Sequence, residues 1–200
     1  MDLLNLLFPV SCLECKKPGK YICDTCLSKV RVINRFDPLS NTFSIFNYEG
    51  IIRKAIVKIK YNFAYDIAQE LANAVVKNMN LDLKNVILVP IPLHKSRKNW
   101  RGFNQSEILG KLIAKNLSWE FNKDLLIRPI EGKNQVGLPQ SDRVRNIRGK
   151  FAVNNEKALN FNHQFVIFDD VVTTGSTLKE AIKVLKKAGA KKVLGLTIAR

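Results

Sequence analysis

Long hydrophobic runs are missing from this sequence, and that absence excludes a membrane-spanning helix, which needs about 18 or more uninterrupted apolar residues. The short run Leu3-Leu4-Asn5-Leu6-Leu7-Phe8 lacks a basic segment before it and a small-residue cleavage site after it, so it does not read as a signal peptide. A cytoplasmic chain without membrane insertion is expected. Acidic residues are scarce: 17 Asp and Glu stand against 33 Lys and Arg, leaving a formal charge of +16. Phosphorylated small molecules and nucleic acid would both gain Coulomb energy on such a surface. A lysine-rich composition does not choose between them. No G-x-x-x-x-G-K-[ST] stretch is present to suggest a P-loop. Two hundred residues hold one α/β core with a small appended module, but not two large domains.

Cysteine is also scarce, but all four cysteines fall in one pattern, Cys12-x-x-Cys15 and Cys23-x-x-Cys26, with seven residues between the pairs. A C-x-x-C turn points two thiolates at one centre. Two such turns close a tetrahedral four-sulfur site of the kind Zn²⁺ adopts in structural positions, and Pro18-Gly19 suits the reversal between them. The rival is a pair of disulfides, which needs an oxidising compartment. A redox C-x-x-C would be single and lie between a strand and a helix. With four protein ligands no position stays open for catalysis, so the zinc reading is structural. The metal stands in for a core that some thirty residues cannot build.

These signals divide the chain into a zinc-binding module over 1–35 and a main domain over 36–200. Residues 30–44 read as a polar, irregular linker, with Asp37-Pro38 marking a turn. Ile51, Ile52, Ala55, Ile56 and Ile59 then recur at helical spacing, with Arg53, Lys54, Lys58 and Lys60 between them: a basic amphipathic helix. A second helix carries Ile67, Leu71, Ala74 and Val75 and ends near Asn78. From Val86 onward short apolar runs alternate with helical stretches, the signature of βαβ units and a parallel sheet. The expected strands are 86–89, 125–127, 165–168 and 193–198. Asn104 with Glu107 predicts a capping box opening a helix, and a helix over 177–188 stops at Gly189.

The chemistry concentrates at 165–180, where an apolar strand ends in Asp169-Asp170, followed by Val171-Val172-Thr173-Thr174-Gly175-Ser176-Thr177 and an amphipathic helix. Ligands of open parallel sheets sit beyond the carboxyl ends of strands, where two carboxylates are met first. The hydroxyl-rich turn and helix N-terminus form a cradle for a monoester phosphate. Carboxylates repel phosphate but accept hydrogen bonds from a ribose diol or help hold a hydrated Mg²⁺, so pair and cradle together imply a 5-phosphorylated sugar. Taken singly, Asp170 ends a strand and Ser176 or Thr177 caps a helix.

Residues 166–177 resemble the phosphoribosyl-pyrophosphate motif of type I phosphoribosyltransferases, in which two adjacent acids contact the ribose hydroxyls and a T-T-G-x-T loop holds the 5′-phosphate. The resemblance extends through Cys12–Cys26, Tyr48-Glu49-Gly50, Val89-Pro90-Ile91-Pro92-Leu93-His94 with Arg97, Arg101-Gly102-Phe103-Asn104-Gln105, and Arg143-x-x-Asn146-x-x-Gly149-x-Phe151. Together these resemble the amidophosphoribosyltransferase-like ComF family over nearly the whole chain. Lys150 departs from the small residue expected before Phe151.

The resemblance implies a type I phosphoribosyltransferase-like α/β fold and a set of roles. Asp169 and Asp170 would be the catalytic acids, and Asp169 through Thr177 would bind phosphate and ribose. His94, Lys95, Arg97, Arg101 and Arg143 would meet pyrophosphate. The Val89–His94 turn would be extended at its prolines, with a cis bond as one form, and residues 135–148 would form a closing loop or, equally, a disordered basic loop touching DNA. Mg²⁺ would accompany phosphoribosyl pyrophosphate. ComF membership further implies DNA uptake in natural transformation, with single-stranded DNA and a competence helicase as partners. Tyr61, Trp100 and Phe103 among basic residues fit stacking of unpaired bases, or serve as core and loop anchors. Three functions stay open: phosphoribosyl transfer to an amine or nucleobase, ligand sensing coupled to DNA handling, and zinc-stabilised docking.

Overall fold

The structure is a computed structural model that describes residues 10–62, 64–93, 100–128, 151–154 and 163–200. In chain order the elements are α1 (Asp24–Leu27), β1 (Val32–Asp37), β2 (Thr42–Phe46), α2 (Gly50–Asn62), α3 (Tyr65–Asn78), β3 (Val86–Pro90), α4 (Gln105–Asn116), β4 (Glu120–Phe121), β5 (Leu126–Ile127), β6 (Ala152–Val153), β7 (Gln164–Val171), α5 (Ser176–Lys187) and β8 (Lys192–Ala199). No helix among the described residues is long and apolar enough to cross a membrane.

Six strands form one sheet in the order β1-β2-β8-β7-β3-β4. Only the β1/β2 pair is antiparallel; the other neighbours run parallel. The central strands are apolar on both faces because helices cover both. Val86, Leu88, Val166 and Phe168 pack with α2, α3 and α4, whereas Ile87, Val89, Phe165 and Ile167 pack with α5 and the β5/β6 ribbon. Gly110 lets α4 lie close to this sheet: a Cβ there would come within 2.9 Å of Leu88 Cδ2. At α4's start the Asn104 side chain accepts from Ser106 N–H at 3.1 Å, but Glu107 pairs with Lys123 instead of completing the capping box. Helix α5 ends as expected, with Gly189 at φ 104° and the Ala190 N–H reaching back to the Leu185 carbonyl.

Two expectations are corrected. Residues 30–44 are not an irregular linker, since they hold β1 and the start of β2. The register shifts between Val32 and Arg35, and Asn34 takes φ 38° within it. Such a bulge breaks the two-residue alternation by which a strand is recognised. The run at 125–127 forms a strand, but it pairs with β6 in a separate two-stranded ribbon and not in the main sheet.

The cysteine segment is continuous with the main core: Cys12, Ile22, Cys23, Cys26 and Val30 share one buried cluster with α2 and α3. Glu70 of α3 accepts from the backbone N–H groups of Tyr21 (3.2 Å) and Ile22 (2.7 Å), and Lys54 of α2 pairs with Glu14 at 3.2 Å.

Candidate functional site

After β3 the chain crosses through α4 to β4, and after β7 it crosses through α5 to β8 on the other side. The carboxyl ends of β3 and β7 therefore flank a switch point, where open α/β sheets leave a crevice. Ile91 beyond β3 is tied in place twice: its N–H donates to the Phe168 carbonyl (2.8 Å), and its carbonyl accepts from Asn104 Nδ2 (3.0 Å). Pro90 and Pro92 follow trans peptide bonds, so the cis form is not adopted.

The two acids sit at the end of β7 in different surroundings. Asp170 is buried, with Oδ2 accepting from Lys60 Nζ (2.9 Å) and Gln105 Nε2 (3.1 Å) and Oδ1 from the Val171 N–H (2.8 Å). Asp169 is half-buried, and its Oδ1 accepts from Ser106 Oγ (2.8 Å) and the Asp170 N–H (3.0 Å). Its Oδ2 has no hydrogen-bond partner among the described residues. Desolvation, followed by the neighbouring Asp170 charge, pushes the Asp169 carboxyl up to about 7, against the pull of Ser106 and Lys60. Lys60, Gln105 and Ser106 were given no role by the sequence. The Asn104 cap was the available signal for the last two, because it aims the first residues of α4 at the crevice.

Beyond the acids, Thr173 and Thr174 are exposed, and Thr174 Oγ1 lies 2.8 Å from Ser176 Oγ. Gly175 occupies the N-cap of α5 at φ 73° and offers no side-chain cap; in the first turn the Ser176 N–H reaches Thr174 Oγ1 at a long 3.5 Å. Glycine is required there twice over. Its φ suits no other residue well, and a Cβ would come 2.6 Å from Ser40 Cβ. Ser40 is itself fixed from the β1–β2 turn, donating to Asp37 Oδ2 at 2.9 Å, while Arg200 donates to the same oxygen at 3.0 Å. The Ser40 hydrogen bond leads the interactions that hold the Asp37 carboxyl below its ordinary range. Sequence reading missed this buttress because Ser40 lay in the supposed linker.

Of the basic residues assigned to pyrophosphate, Arg101 is half-buried and donates to Gln105 Oε1, which links it through Gln105 to Asp170. His94, Lys95, Arg97, Arg143 and the loop at 135–148 lie outside the described residues, as does Lys150. Among the aromatics, Tyr61 and Trp100 are exposed and meet edge to face at 6.4 Å, whereas Phe103 packs against the core.

The second centre is the cysteine cluster. The four sulfurs lie within 4.8 Å of one another, none is in a disulfide, and Cys15 Sγ stands 3.7 Å from Cys23 Sγ. A tetrahedral ion with metal–sulfur bonds of about 2.3 Å places its ligands roughly 3.8 Å apart, so the cluster could hold a metal ion. Desolvation works to raise the Cys12 thiol, but the N–H groups of Cys23, Cys15 and Glu14 outweigh it and bring Cys12 down to about 6. Cys26 is pushed up to about 12, first by desolvation and then by hydrogen bonds with the other three thiols.

Comparison with known proteins places the fold in a family. Residues 61–199 match the phosphoribosyl transferase domain family. The chain is 31% identical over 113 residues to Competence protein F of Haemophilus influenzae, covering 56% of this chain and 49% of that protein. It is 28% identical over 189 residues to DNA utilization protein YhgH of Escherichia coli, covering 90% and 79%. Competence protein ComFC of Bacillus subtilis is 26% identical over 160 residues, covering 78% and 63%. The chain thus spans about half the length of the Haemophilus protein and more of the other two.

Proposed function

Because this chain belongs to the phosphoribosyl transferase domain family, within its ComF group, we propose that the β3/β7 crevice binds phosphoribosyl pyrophosphate with Mg²⁺ and serves DNA uptake. The observation that carries this reading is the uncapped N-terminus of α5, ringed by hydroxyls and set directly after the acid pair. Backbone N–H groups at a helix N-terminus suit a 5′-phosphate, and residues 171–177 supply them. The carboxylates of Asp169 and Asp170 suit a ribose diol. The Oδ2 of Asp169, unpartnered among the described residues, is also the hard oxygen that a hydrated Mg²⁺ would take. When bound, that ion offsets negative charge on the pyrophosphate. Arg101 approaches from the α4 side to do the same, joined in this reading by His94, Arg97 and Arg143.

In the transferase form of this reading, phosphoribose passes to an amine or nucleobase and pyrophosphate leaves. Orientation and charge stabilisation would suffice for that step. No described residue marks an acceptor. The names of the relatives, two competence proteins and a DNA utilization protein, favour a role in DNA handling over one in nucleotide synthesis. The four cysteines take Zn²⁺ in a closed structural site.

Calorimetric titration of phosphoribosyl pyrophosphate with Mg²⁺ into wild-type and Asp169→Asn/Asp170→Asn protein tests the site. Binding by the wild type alone is expected. Equal or absent binding in both would make the motif a relic.

A second reading rests on a different observation. The outer face of α2 carries Arg53, Lys54 and Lys58 and leads to the exposed Tyr61–Trp100 pair, a layout suited to single-stranded DNA. Trp100→Ala should weaken salt-sensitive oligonucleotide binding, and an unchanged affinity would remove the pair from that role. A competence helicase is the protein partner that fits this setting. Loss of its capture on Lys54→Glu substitution beside Glu14 would place the contact on the α2 and cysteine face.

A further inference from the structure

The acid pair stands at the end of β7, but its charge is set from elsewhere. Lys60 belongs to α2, just outside the stretch that matches the phosphoribosyl transferase domain, and places its ammonium 2.9 Å from Asp170 Oδ2. Both partners are largely shielded, with side-chain exposures of 23% for Lys60 and 6% for Asp170. Water therefore screens this pair less than a surface pair. Gln105 occupies the same oxygen, and the Val171 N–H occupies the other. A carboxylate so engaged keeps about one of its roughly four acceptor sites for a ligand hydroxyl. Asp169, by contrast, keeps Oδ2 without a hydrogen-bond partner among the described residues.

Resting on the sugar-pyrophosphate reading of the crevice, we propose that Lys60 is the resident counter-ion of the acid pair. It neutralises Asp170, leaves Asp169 as the outward carboxylate, and makes divalent-cation binding depend on the sugar pyrophosphate. Two adjacent ionised carboxylates would otherwise attract a divalent ion by themselves. With Lys60 in place the pair presents one net negative charge, which holds such an ion weakly until a ligand's phosphates add their oxygens. Lys60 is thus a positioning residue: through Asp170, whose Oδ1 holds the Val171 N–H, it also fixes where the phosphate loop starts. The sequence could not show this, because Lys60 reads there as one more lysine on the polar side of α2.

The test is Mn²⁺ titration of the full-length protein at pH 8, followed by electron paramagnetic resonance, with and without phosphoribosyl pyrophosphate. The proteins are wild type, Lys60→Met, Lys60→Gln and Lys60→Arg. Without the sugar ligand, Lys60→Met and Lys60→Gln should take Mn²⁺ about tenfold tighter than wild type, since one screening charge has been removed beside the carboxylates. Lys60→Arg should behave as wild type. With the sugar ligand bound, Mn²⁺ affinity should stay near that of wild type, so its enhancement by the ligand falls about tenfold in the neutral variants, and by reciprocity so does the enhancement of ligand binding by Mn²⁺. Lys60→Gln retains a hydrogen-bonding group for Asp170 and decides the matter if Lys60→Met does not fold. Unchanged or weaker Mn²⁺ binding in the neutral variants overturns the proposal. If wild type fails to bind the sugar pyrophosphate, the reading of the crevice falls, while the comparison with Mn²⁺ alone still judges Lys60.

Discussion

The four cysteines and the two aspartates are both clusters of groups that become anions, but they are assembled in opposite ways. The cysteines come from residues 12–26 and face one another, with sulfurs within 4.8 Å. The aspartates are adjacent in the chain, but their partners arrive from α2 and α4, with Gln105 65 positions from Asp170 and Ser106 63 positions from Asp169. The first centre could take a metal ion to balance its charge, whereas the second meets the Lys60 ammonium of its own chain. Metal dependence should therefore be a matter of folding at the cysteines and of ligand binding at the aspartates.

Removing metal from the cysteine cluster is expected to have the largest effect. Because Cys12, Cys23 and Cys26 share a buried cluster with α2 and α3, chelation should lower one cooperative transition of the whole chain, by roughly ten degrees or more. Calorimetry with metal analysis checks it, and a separate small transition would show the module to be independent.

Next in size is Gly175→Ala. It forces a Cβ to within 2.6 Å of Ser40 and keeps a left-handed φ of 73°, at a cost of about 2 kcal/mol. Denaturant unfolding would measure that loss, and the variant should also bind phosphoribosyl pyrophosphate more weakly.

An effect spread over several pH units is expected from Asp169. Asp169 titrates at about 7 in the folded chain, against an ordinary value of 3.8, so the native state holds its proton over the interval between them. The resulting stability is fully present below the lower value and is lost as pH rises through about 7. The melting temperature of wild type should fall between about pH 4 and 7, the interval between the two values, more steeply than that of Asp169→Asn, and parallel profiles would refute the assignment.

The smallest effect belongs to Glu70→Ala, which frees the Tyr21 and Ile22 N–H groups at about 1–2 kcal/mol. Chemical denaturation would detect it. No loss would mean that the metal alone seats the cysteine segment on α3.

Legibility in the sequence followed the range of the interactions. The helix at 50–62, the strands around 86–90 and 164–171, and the C-cap at Gly189 were readable because their periodicity and capping residues are local. Strand β1 was not, because a bulge at Asn34 scrambles its alternation and its exposed Val32 and Phe36 mimic a loop. Likewise, Asn104 announced a helix start, but the destination of the next two side chains depended on how α4 crosses the sheet.

By itself the sequence determined the C-x-x-C pairs, the strand that ends in two acids, and the hydroxyl-rich turn into α5, since each is set by residues within a few positions of one another. Only the tertiary structure decided that Ser40 walls the loop at Gly175, that the cysteine segment joins the main core, and that Lys60 pairs with Asp170 while Asp169 Oδ2 has no partner among the described residues. The physical reason is that charge balance and close packing act through space. Which lysine among many meets a given carboxylate is fixed by the packing of α2 against the sheet, and no local pattern in the chain records it.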